Sequence, residues 1–379
     1  MKIGPFEFNL RELSGSLGDL GTFIPLAVGY ISICKVGPSG LLVMMGLANI
    51  VTGLVYRLPM PIQPMKVLAV VAIAQAWQPS SVYASAFAMG LVWMLFSATN
   101  IMGFMARITP LSVVRGIQMA LGVLLALQAL PMLKASWVLA ALSIAIVVAL
   151  RRSRYAPAAV VLMALGVGIM LAQGRFSQVA FNGLTWPSLT FFHPGEVWDS
   201  LVQGGFAQIP LTATNAVIAT AALIRQYWPD KAVSEQRLSL SMGIMNLIGP
   251  FFGGMPMCHG AGGLAGQYYF GARTGGTNII EGLFEIGLGL FLAGSIVSLF
   301  LAFPTAIIGA MMLLVGLELV GFAGQLKLDL DLVPLAATVV IALISNMAVG
   351  FLSGMGVHYL LVRMMKSKAD HGHDAGADR

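Results

Sequence analysis

The sequence predicts an all-α polytopic membrane protein with a seven-plus-seven transmembrane inverted repeat and two half-helices that meet at the membrane midplane. Two observations predict this fold class. Hydrophobic residues make up 58% of the chain and charged residues only 9%, with a mean hydropathy of +0.87, whereas a soluble domain carries about 25% charged residues. In addition, two short stretches punctuated by Pro or Gly, 60–66 and 255–263, lie at corresponding places in the two halves. Such pairs are typical of broken helices in inverted-repeat membrane proteins.

The first half divides into seven segments when about 20 apolar residues are allowed per span. The predicted helices cover 12–31, 38–56, 64–77, 82–104, 110–130, 134–150 and 156–172. The third segment reaches only about 20 Å at about 1.5 Å per residue. It is therefore predicted to cross part of the membrane.

The second half repeats this arrangement. Its predicted helices cover 201–224, 236–253, 259–272, 278–301, 303–321, 331–345 and 346–363, and the third is again the short one. The predicted domains are a first repeat (1–172), an extracytoplasmic connecting loop (173–199), a second repeat (200–365) and a short cytoplasmic tail (366–379). Local sequence supports the repeat, since Phe23–Leu26 corresponds to Gln208–Leu211.

The basic residues predict the orientation of the chain. An odd number of crossings per half gives the halves opposite orientations and puts both termini on one side. The loops on the other side hold only Lys35, Lys134 and Arg175, while Lys66 and Arg115 lie at or inside the membrane boundary. The positive-inside rule then predicts a multi-pass protein of the cell inner membrane with both termini in the cytoplasm. This distribution explains the net charge of +6, so no nucleic-acid partner is expected. The lipid bilayer is the expected surrounding of the helices.

Several motifs resemble the molybdate transporter family, a branch related to the sulfate permeases. They are Gly18–Thr22, Pro59–Lys66, Ala207–Thr212, Asn215–Ala219 and Gly254–Tyr268. The resemblance covers nearly the whole chain and implies core and gate bundles, an oxyanion substrate and, in related transporters, a homodimer. The chain ends soon after its last predicted helix, so we expect no cytoplasmic STAS domain of the kind many sulfate permeases carry.

The half-helices suit an anion because a helix N-terminus presents unpaired N–H groups and the positive end of the helix dipole. Pro64 is predicted as the first helical residue, which would aim the N–H groups of Met65, Lys66 and Val67 at the site. The Gly260–Gly263 stretch would let backbone approach a ligand closely. Neutral polar side chains can add hydrogen bonds, and Gln208 is the preferred substrate contact. The predicted substrate-binding residues are Gln63, Met65, Lys66, Gln208, Thr212, Asn215, Cys258, His259, Gly260, Ala261 and Gly262.

Ionisable groups inside a membrane are functional candidates. Asp19 could carry a coupling proton or stabilise a break in the first helix. Glu281 and Glu285 lie one turn apart on one helix face, and either could carry a proton or pair with Arg273. Lys66 could add a positive charge to the anion site, or its side chain could extend to the cytoplasmic surface. His259 could contact the substrate or cap a half-helix.

The predicted function is import of a tetrahedral oxyanion by alternating access, coupled to protons, with molybdate favoured by the resemblance alone. Sulfate is the nearest alternative because its charge and shape are similar. A nucleobase carrier would be expected to place a carboxylate near Gln208 or in 258–263, and neither has one. A passive anion channel stays open. An enzyme is not expected, and no cofactor or metal is predicted, because the histidines are scattered and no HExxH-like or GxSxG-like motif occurs.

Overall fold

A computed structural model describes residues 1–150, 158–175, 183–321, 331–345 and 347–374. Almost all regular structure in these ranges is helical. A small hairpin of β1 (Lys2–Ile3) and β2 (Phe6–Glu7) begins the chain. The first half then contains α1 (Leu10–Ser16), α2 (Leu20–Ser32), α3 (Pro38–Tyr56), β3 (Gln63–Pro64), α4 (Lys66–Ala74), α5 (Pro79–Thr99), α6 (Ile101–Ile108), α7 (Leu111–Lys134), α8 (Trp137–Leu150) and α9 (Ala158–Ala172).

The second half starts with a long, irregular helical segment. It contains α10 (Pro194–Ser200), π-helical turns at Leu201–Gly205, α11 (Phe206–Leu211), π-helical turns at Thr212–Ala219 and α12 (Thr220–Tyr227). After it come α13 (Glu235–Ile248), a 3-10 turn at Gly249–Phe252, β4 (Met257–Cys258), α14 (Ala261–Tyr269), α15 (Gly276–Phe291), α16 (Ile296–Ala302), α17 (Thr305–Gly321), α18 (Leu332–Ile344) and α19 (Met347–Asp374).

Each predicted segment corresponds to one or more of these helices, with some shifted boundaries. The first is divided into α1 and α2 around Gly18, where a Cβ would lie 2.6 Å from the backbone of Gly266. The chain therefore passes α14 at close range. The eighth segment starts at Pro194, earlier than predicted, because Glu196 accepts a hydrogen bond from the N–H of His193 (2.7 Å) and caps the helix.

Two helix groups make up the interior. In the core bundle, α3 packs along α15 and α5 packs along α13; in the gate bundle, α7 packs along α17 and α18, and α18 along α19. Small residues bring α3 and α15 together, since a Cβ on Gly53 would lie 2.7 Å from the carbonyl oxygen of Gly275. Close backbone approach through small residues is the usual packing mode of helices in lipid.

Helix length limits how many segments can cross a bilayer alone. Within the described residues, α3, α5 and α7 are long and apolar enough to do so. Two bent pairs, 194–205 with 208–227 and 296–302 with 305–317, would each add a crossing if counted as one span. The other apolar stretches are shorter than the yardstick of about 20 residues; they are Trp137–Leu150, Ala158–Ala172, Leu332–Ile344 and Val349–Met364.

The predicted domain boundaries stay predictions. Residues 176–182 of the predicted connecting loop and 375–379 of the predicted tail lie outside the described residues.

Candidate functional site

Two short antiparallel strands bring the two half-helices together. In this ribbon Gln63 pairs with Cys258 and Pro64 with Met257. Aligning Met60-Pro61 with Met255-Pro256 makes Gln63 and Cys258 equivalent positions. The pseudo-two-fold axis of the repeat therefore runs through this pair.

The half-helices α4 and α14 begin in the same register after the strands. Their N-caps are Met65 and Gly260. The helical ladders begin when Ala69 N–H donates to the Met65 carbonyl (2.9 Å) and Leu264 N–H donates to that of Gly260 (3.0 Å). The N–H groups of the three residues before Ala69 in α4, and of the three before Leu264 in α14, therefore have no carbonyl partner within their own helix.

Gln208 caps the first half-helix. Its side-chain Oε1 accepts hydrogen bonds from the N–H groups of Val67 (2.7 Å) and Leu68 (3.3 Å). Its Nε2 donates to Thr212 Oγ1 (2.7 Å), which orients the amide with its oxygen toward α4. Gln208 and Thr212 are both buried. A neutral amide oxygen thus occupies a position that suits an oxygen of an anion.

Asn215 caps the second half-helix from the same broken helix. Its Oδ1 accepts a hydrogen bond from Ala261 N–H (3.1 Å). Asn215 lies in the π-helical turns that follow α11, and such turns are frequent at functional sites. The structure therefore brings together Gln208, Thr212, Asn215 and the start of both half-helices.

The predicted geometry around Pro64 was wrong in one respect. Pro64 lies in β3, α4 begins at Lys66, and the N–H of Met65 donates to the Pro256 carbonyl (2.9 Å). Strand pairing therefore removes this N–H from the site, and the half-helix donors bound by Gln208 are those of Val67 and Leu68. The side chain of Met65 is fully buried, and that of Lys66 is partly buried at the first helical position.

Gln63 faces the second half-helix and binds a carboxylate. Its Nε2 donates to Asp19 Oδ2 (2.5 Å), while its Oε1 is buried without a hydrogen-bond partner. Glycine at 263 makes room for this pair, because a Cβ there would lie 2.8 Å from Asp19 Oδ2. A Cβ at Gly260 would likewise press on Gln63.

Cys258 and His259, which precede α14 in the chain, are both buried. His259 Nδ1 lies 3.2 Å from the Pro61 carbonyl and Nε2 lies 2.7 Å from Ser241 Oγ. A carbonyl only accepts, so Nδ1 donates to Pro61. The Ser241 hydroxyl lies within hydrogen-bonding distance of both His259 Nε2 and the Leu238 carbonyl. These contacts hold His259 against the first lead-in rather than against an N–H group of the half-helix, and its contact with the substrate stays a prediction.

The buried carboxylates of α15 bind amides. Gln267 Nε2 donates to Glu281 Oε2 (2.9 Å) and Asn49 Nδ2 donates to Glu285 Oε2 (2.9 Å). The alternative that they pair with Arg273 was wrong. The guanidinium of Arg273 donates to backbone carbonyl oxygens of its own loop and lies 3.8 Å from the ring centroid of Tyr268.

Two asparagines hold the strands that lead into the half-helices, and these contacts were not predicted from local sequence. Asn278 binds both the N–H (2.8 Å) and the carbonyl (2.6 Å) of Met60. Asn246 binds both the N–H (2.8 Å) and the carbonyl (2.6 Å) of Met257. Asn246 is recognisable in sequence only as a polar residue in an apolar helix.

Metal ligation has no support in the described part of the chain, where no group of three or more His, Cys, Asp or Glu residues could hold an ion. Two half-helices that meet between helical bundles are typical of inverted-repeat membrane transporters.

The chain belongs to the molybdate transporter family. A family model described as "Molybdate transporter of MFS superfamily" matches residues 11–125 and 200–319. Molybdate transporter 2 of Arabidopsis thaliana is 32% identical over 409 residues, covering 93% of this chain and 87% of the relative. Molybdate transporter 1 of the same plant is 31% identical over 400 residues, covering 92% and 87%. Molybdate transporter 1 of Chlamydomonas reinhardtii is 29% identical over 471 residues, covering 92% and 91%.

Solved structures confirm the predicted fold class. The transmembrane domain of the cyanobacterial bicarbonate transporter BicA superposes with a TM-score of 0.57 at 17% identity, covering 91% of this chain and 98% of that one. The murine anion transporter Slc26a9 in its inward-facing state gives a TM-score of 0.60 at 14% identity, covering 96% and 70%. The protein therefore shares the inverted-repeat transporter fold of these proteins, which at such identities is a statement about fold alone.

Proposed function

We propose that this protein imports molybdate by alternating access and that the dianion binds between the N-termini of α4 and α14. One observation carries the proposal: both half-helix ends are capped by amide oxygens, of Gln208 and Asn215. These oxygens occupy positions that would suit two oxygens of the anion. The dianion would displace Gln208 and take over the N–H groups of Val67 and Leu68.

The choice of an oxyanion follows from the charges around the site. Apart from the Asp19 carboxyl group, which binds Gln63 and is the proton carrier proposed below, the groups at the half-helix ends are backbone N–H groups, amides and a hydroxyl. These groups can bind an anion without repelling it. Lys66, at the first position of α4, adds a positive charge nearby. A nucleobase carrier would be expected to use a carboxylate at such a site, and Gln208 and 258–263 offer none.

Molybdate is proposed over sulfate because the relatives named above are molybdate transporters. The two dianions have similar charge and shape, so the hydrogen bonds at α4 and α14 favour neither. Sulfate is accordingly a competitor in the test below rather than a second proposed function.

Proton coupling is the second element of the proposal. Asp19 contacts Gln63, which lies against the start of α14. An ionised Asp19 would repel an approaching dianion in this low-dielectric surrounding, whereas a protonated one would not. Asp19 is therefore the first candidate for a proton carried with the substrate, with Glu281 as the second candidate from the sequence.

The setting of the protein is proposed from the sequence. The bias of Lys and Arg toward one side supports an inner-membrane location with both termini in the cytoplasm. Packing into a core and a gate bundle supports alternating access, since one bundle could move against the other. A homodimer is proposed from the resemblance, and the mass of the detergent-solubilised protein would test it.

Uptake of labelled molybdate into proteoliposomes tests this function. We expect saturable uptake, driven by an inward proton gradient, that excess unlabelled molybdate blocks and uracil does not. The sulfate competition curve gives the selectivity. Uptake that does not saturate would indicate a channel, and no uptake of either oxyanion by folded protein would refute the proposed substrate class.

A further inference from the structure

A buried hydrogen-bond chain connects Glu285 to the strand that leads into α4. Asn49 Nδ2 donates to Glu285 Oε2 (2.9 Å), and Asn278 Nδ2 donates to Asn49 Oδ1 (2.8 Å). Asn278 then binds both backbone groups of Met60. Glu285 is 4% exposed, and Asn49, Asn278 and Met60 are not exposed at all. The carboxylate is thus joined to the half-helix lead-in through two amides.

The direction of donation makes Glu285 the terminal acceptor. Both hydrogens of the Asn278 amide are used, one on Asn49 and one on the Met60 carbonyl. The Asn49 amide must therefore turn its oxygen to Asn278 and its hydrogens to Glu285. An ionised carboxylate accepts such a bond about twice as strongly as a neutral group does. The protonation state of Glu285 therefore sets the strength of the hydrogen bond from Asn49, which ends this hydrogen-bond chain.

We propose that Glu285 is a proton-responsive positioning residue that links proton occupancy to oxyanion binding through Asn49 and Asn278. A proton on Glu285 removes a negative charge from the core bundle and weakens the bond from Asn49. Both effects favour substrate: the dianion meets less repulsion, and the lead-in of α4 gains freedom to follow it. By reciprocal linkage, bound oxyanion raises the proton affinity of Glu285.

Other titratable groups face the same region and must be separated from Glu285. Glu281 lies one turn earlier on α15, and Asp19 lies close enough to interact electrostatically with both. Glu12 of α1, which packs against α15, binds the N–H groups of Arg273 and Thr274. Glu281 binds Gln267, a residue of α14, so it is not part of the Asn49–Asn278 chain.

The inference rests on the proposed proton-coupled uptake, and the experiment separates the two. Full-length protein in proteoliposomes is assayed for molybdate accumulation under a proton gradient, for molybdate counterflow without one, and for molybdate Kd between pH 5.5 and 7.5. In wild-type protein we expect Kd to fall about tenfold toward low pH, a typical coupling. Wild-type protein without counterflow or proton-driven accumulation would refute the proposed function itself.

Glu285→Gln imitates the protonated residue and keeps an acceptor for Asn49. We expect tighter binding at high pH than in wild type, a residual pH effect on Kd of about threefold or less, and weaker proton-driven accumulation while counterflow persists. Proton-driven accumulation and a pH profile like those of wild type would overturn the inference.

Asn49→Ala separates the hydrogen-bond chain from simple charge repulsion because it keeps Glu285 and removes only the connection. We expect the pH effect on Kd to shrink, with elution volume and thermal unfolding showing a folded protein. A full pH effect in Asn49→Ala would overturn the role of the chain. Glu281→Gln is the matched control on the same helix: it should keep the pH contribution that Glu285→Gln removes. Loss of that contribution in Glu281→Gln, with Glu285→Gln unaffected, would assign the role to Glu281 instead.

Discussion

The strands that lead into the two half-helices have the same backbone form but different supports. Met257, in the second half, is held by Asn246 from the preceding helix of the same half. Met60, in the first half, is held by Asn278 from the opposite half, which continues to Asn49 and Glu285. The repeat therefore preserves the pairing of backbone groups. Within the described residues, the hydrogen bonds of Asn246 go to backbone groups, whereas those of Asn278 lead through Asn49 to a carboxylate. Under the proposals above, the symmetric part of the repeat forms the anion site and this asymmetric connection supplies its coupling.

The caps differ in a related way. Gln208 accepts from two N–H groups of α4, whereas Asn215 accepts from one N–H of α14. The first half-helix should therefore contribute more to anion binding, and the following changes test that ranking.

Gln208→Glu should have the largest effect. A carboxylate would cap α4 more strongly than the amide does and would repel the dianion. We expect molybdate uptake to fall at least about 100-fold, as expected for a buried like charge, with the protein still folded in the membrane. Gln208→Asn, which shortens the side chain without adding charge, is the control. Normal uptake by Gln208→Glu would remove Gln208 from the site.

Asn215→Asp should have a smaller effect of the same sign. It places a carboxylate at the end of α14 but removes only one N–H from the anion. We expect uptake to fall about tenfold, in line with a single charge-assisted hydrogen bond. Uptake lost as completely as in Gln208→Glu would show that the two half-helices contribute equally.

Gly263→Ala should raise the apparent KM for molybdate several-fold. Its Cβ would lie 2.8 Å from Asp19 Oδ2 and 2.9 Å from Pro61 Cβ, so the Asp19–Gln63 pair must shift. Misplacement of polar groups in a packed site costs about 1–3 kcal/mol. Gly287→Ala, on α15, is the matched control because no atom lies within 4 Å of its added Cβ. Equal KM values for the two variants would argue against a role of Gly263 in spacing.

Asn246→Ala should act on stability more than on coupling. It leaves the buried N–H and carbonyl of Met257 without their partner, which costs about 1–3 kcal/mol. We expect a lower thermal unfolding temperature and an unchanged pH dependence of molybdate Kd. Comparing it with Asn49→Ala shows whether coupling belongs to the first lead-in alone, and an equal loss of pH dependence in both variants would contradict that.

Much of the fold and of the candidate site was predictable because it depends on local sequence patterns. The half-helices follow from Pro and Gly at corresponding positions and from apolar runs too short to cross a bilayer. Gln208 and Asn215 were predicted near the substrate because neutral amides can donate hydrogen bonds to an oxyanion without adding negative charge. Their present partners, the N–H groups of Val67, Leu68 and Ala261, were not predicted, since a side-chain cap from a distant helix leaves no local pattern.

Other features depended on contacts between the halves. The displacement of Pro64 from α4 comes from strand pairing with Met257, and two-residue strands have no recognisable sequence period. The hydrogen-bond partner of Glu285, Asn49, lies on α3 in the other half, and chemical type alone could not choose between Asn49 and Arg273. Charge complementarity favoured Arg273 as the partner, whereas in the folded protein the partner is the amide of Asn49.

In the proposed complex the oxyanion lies between the N-termini of α4 and α14. The anomalous signal of molybdenum would locate it there. Diffraction from crystals soaked in molybdate, measured at the molybdenum absorption edge, should show one strong peak within hydrogen-bonding reach of the Val67 and Ala261 N–H groups, with Gln208 turned away from α4. A peak elsewhere, with Gln208 still bound to Val67 and Leu68, would contradict the account.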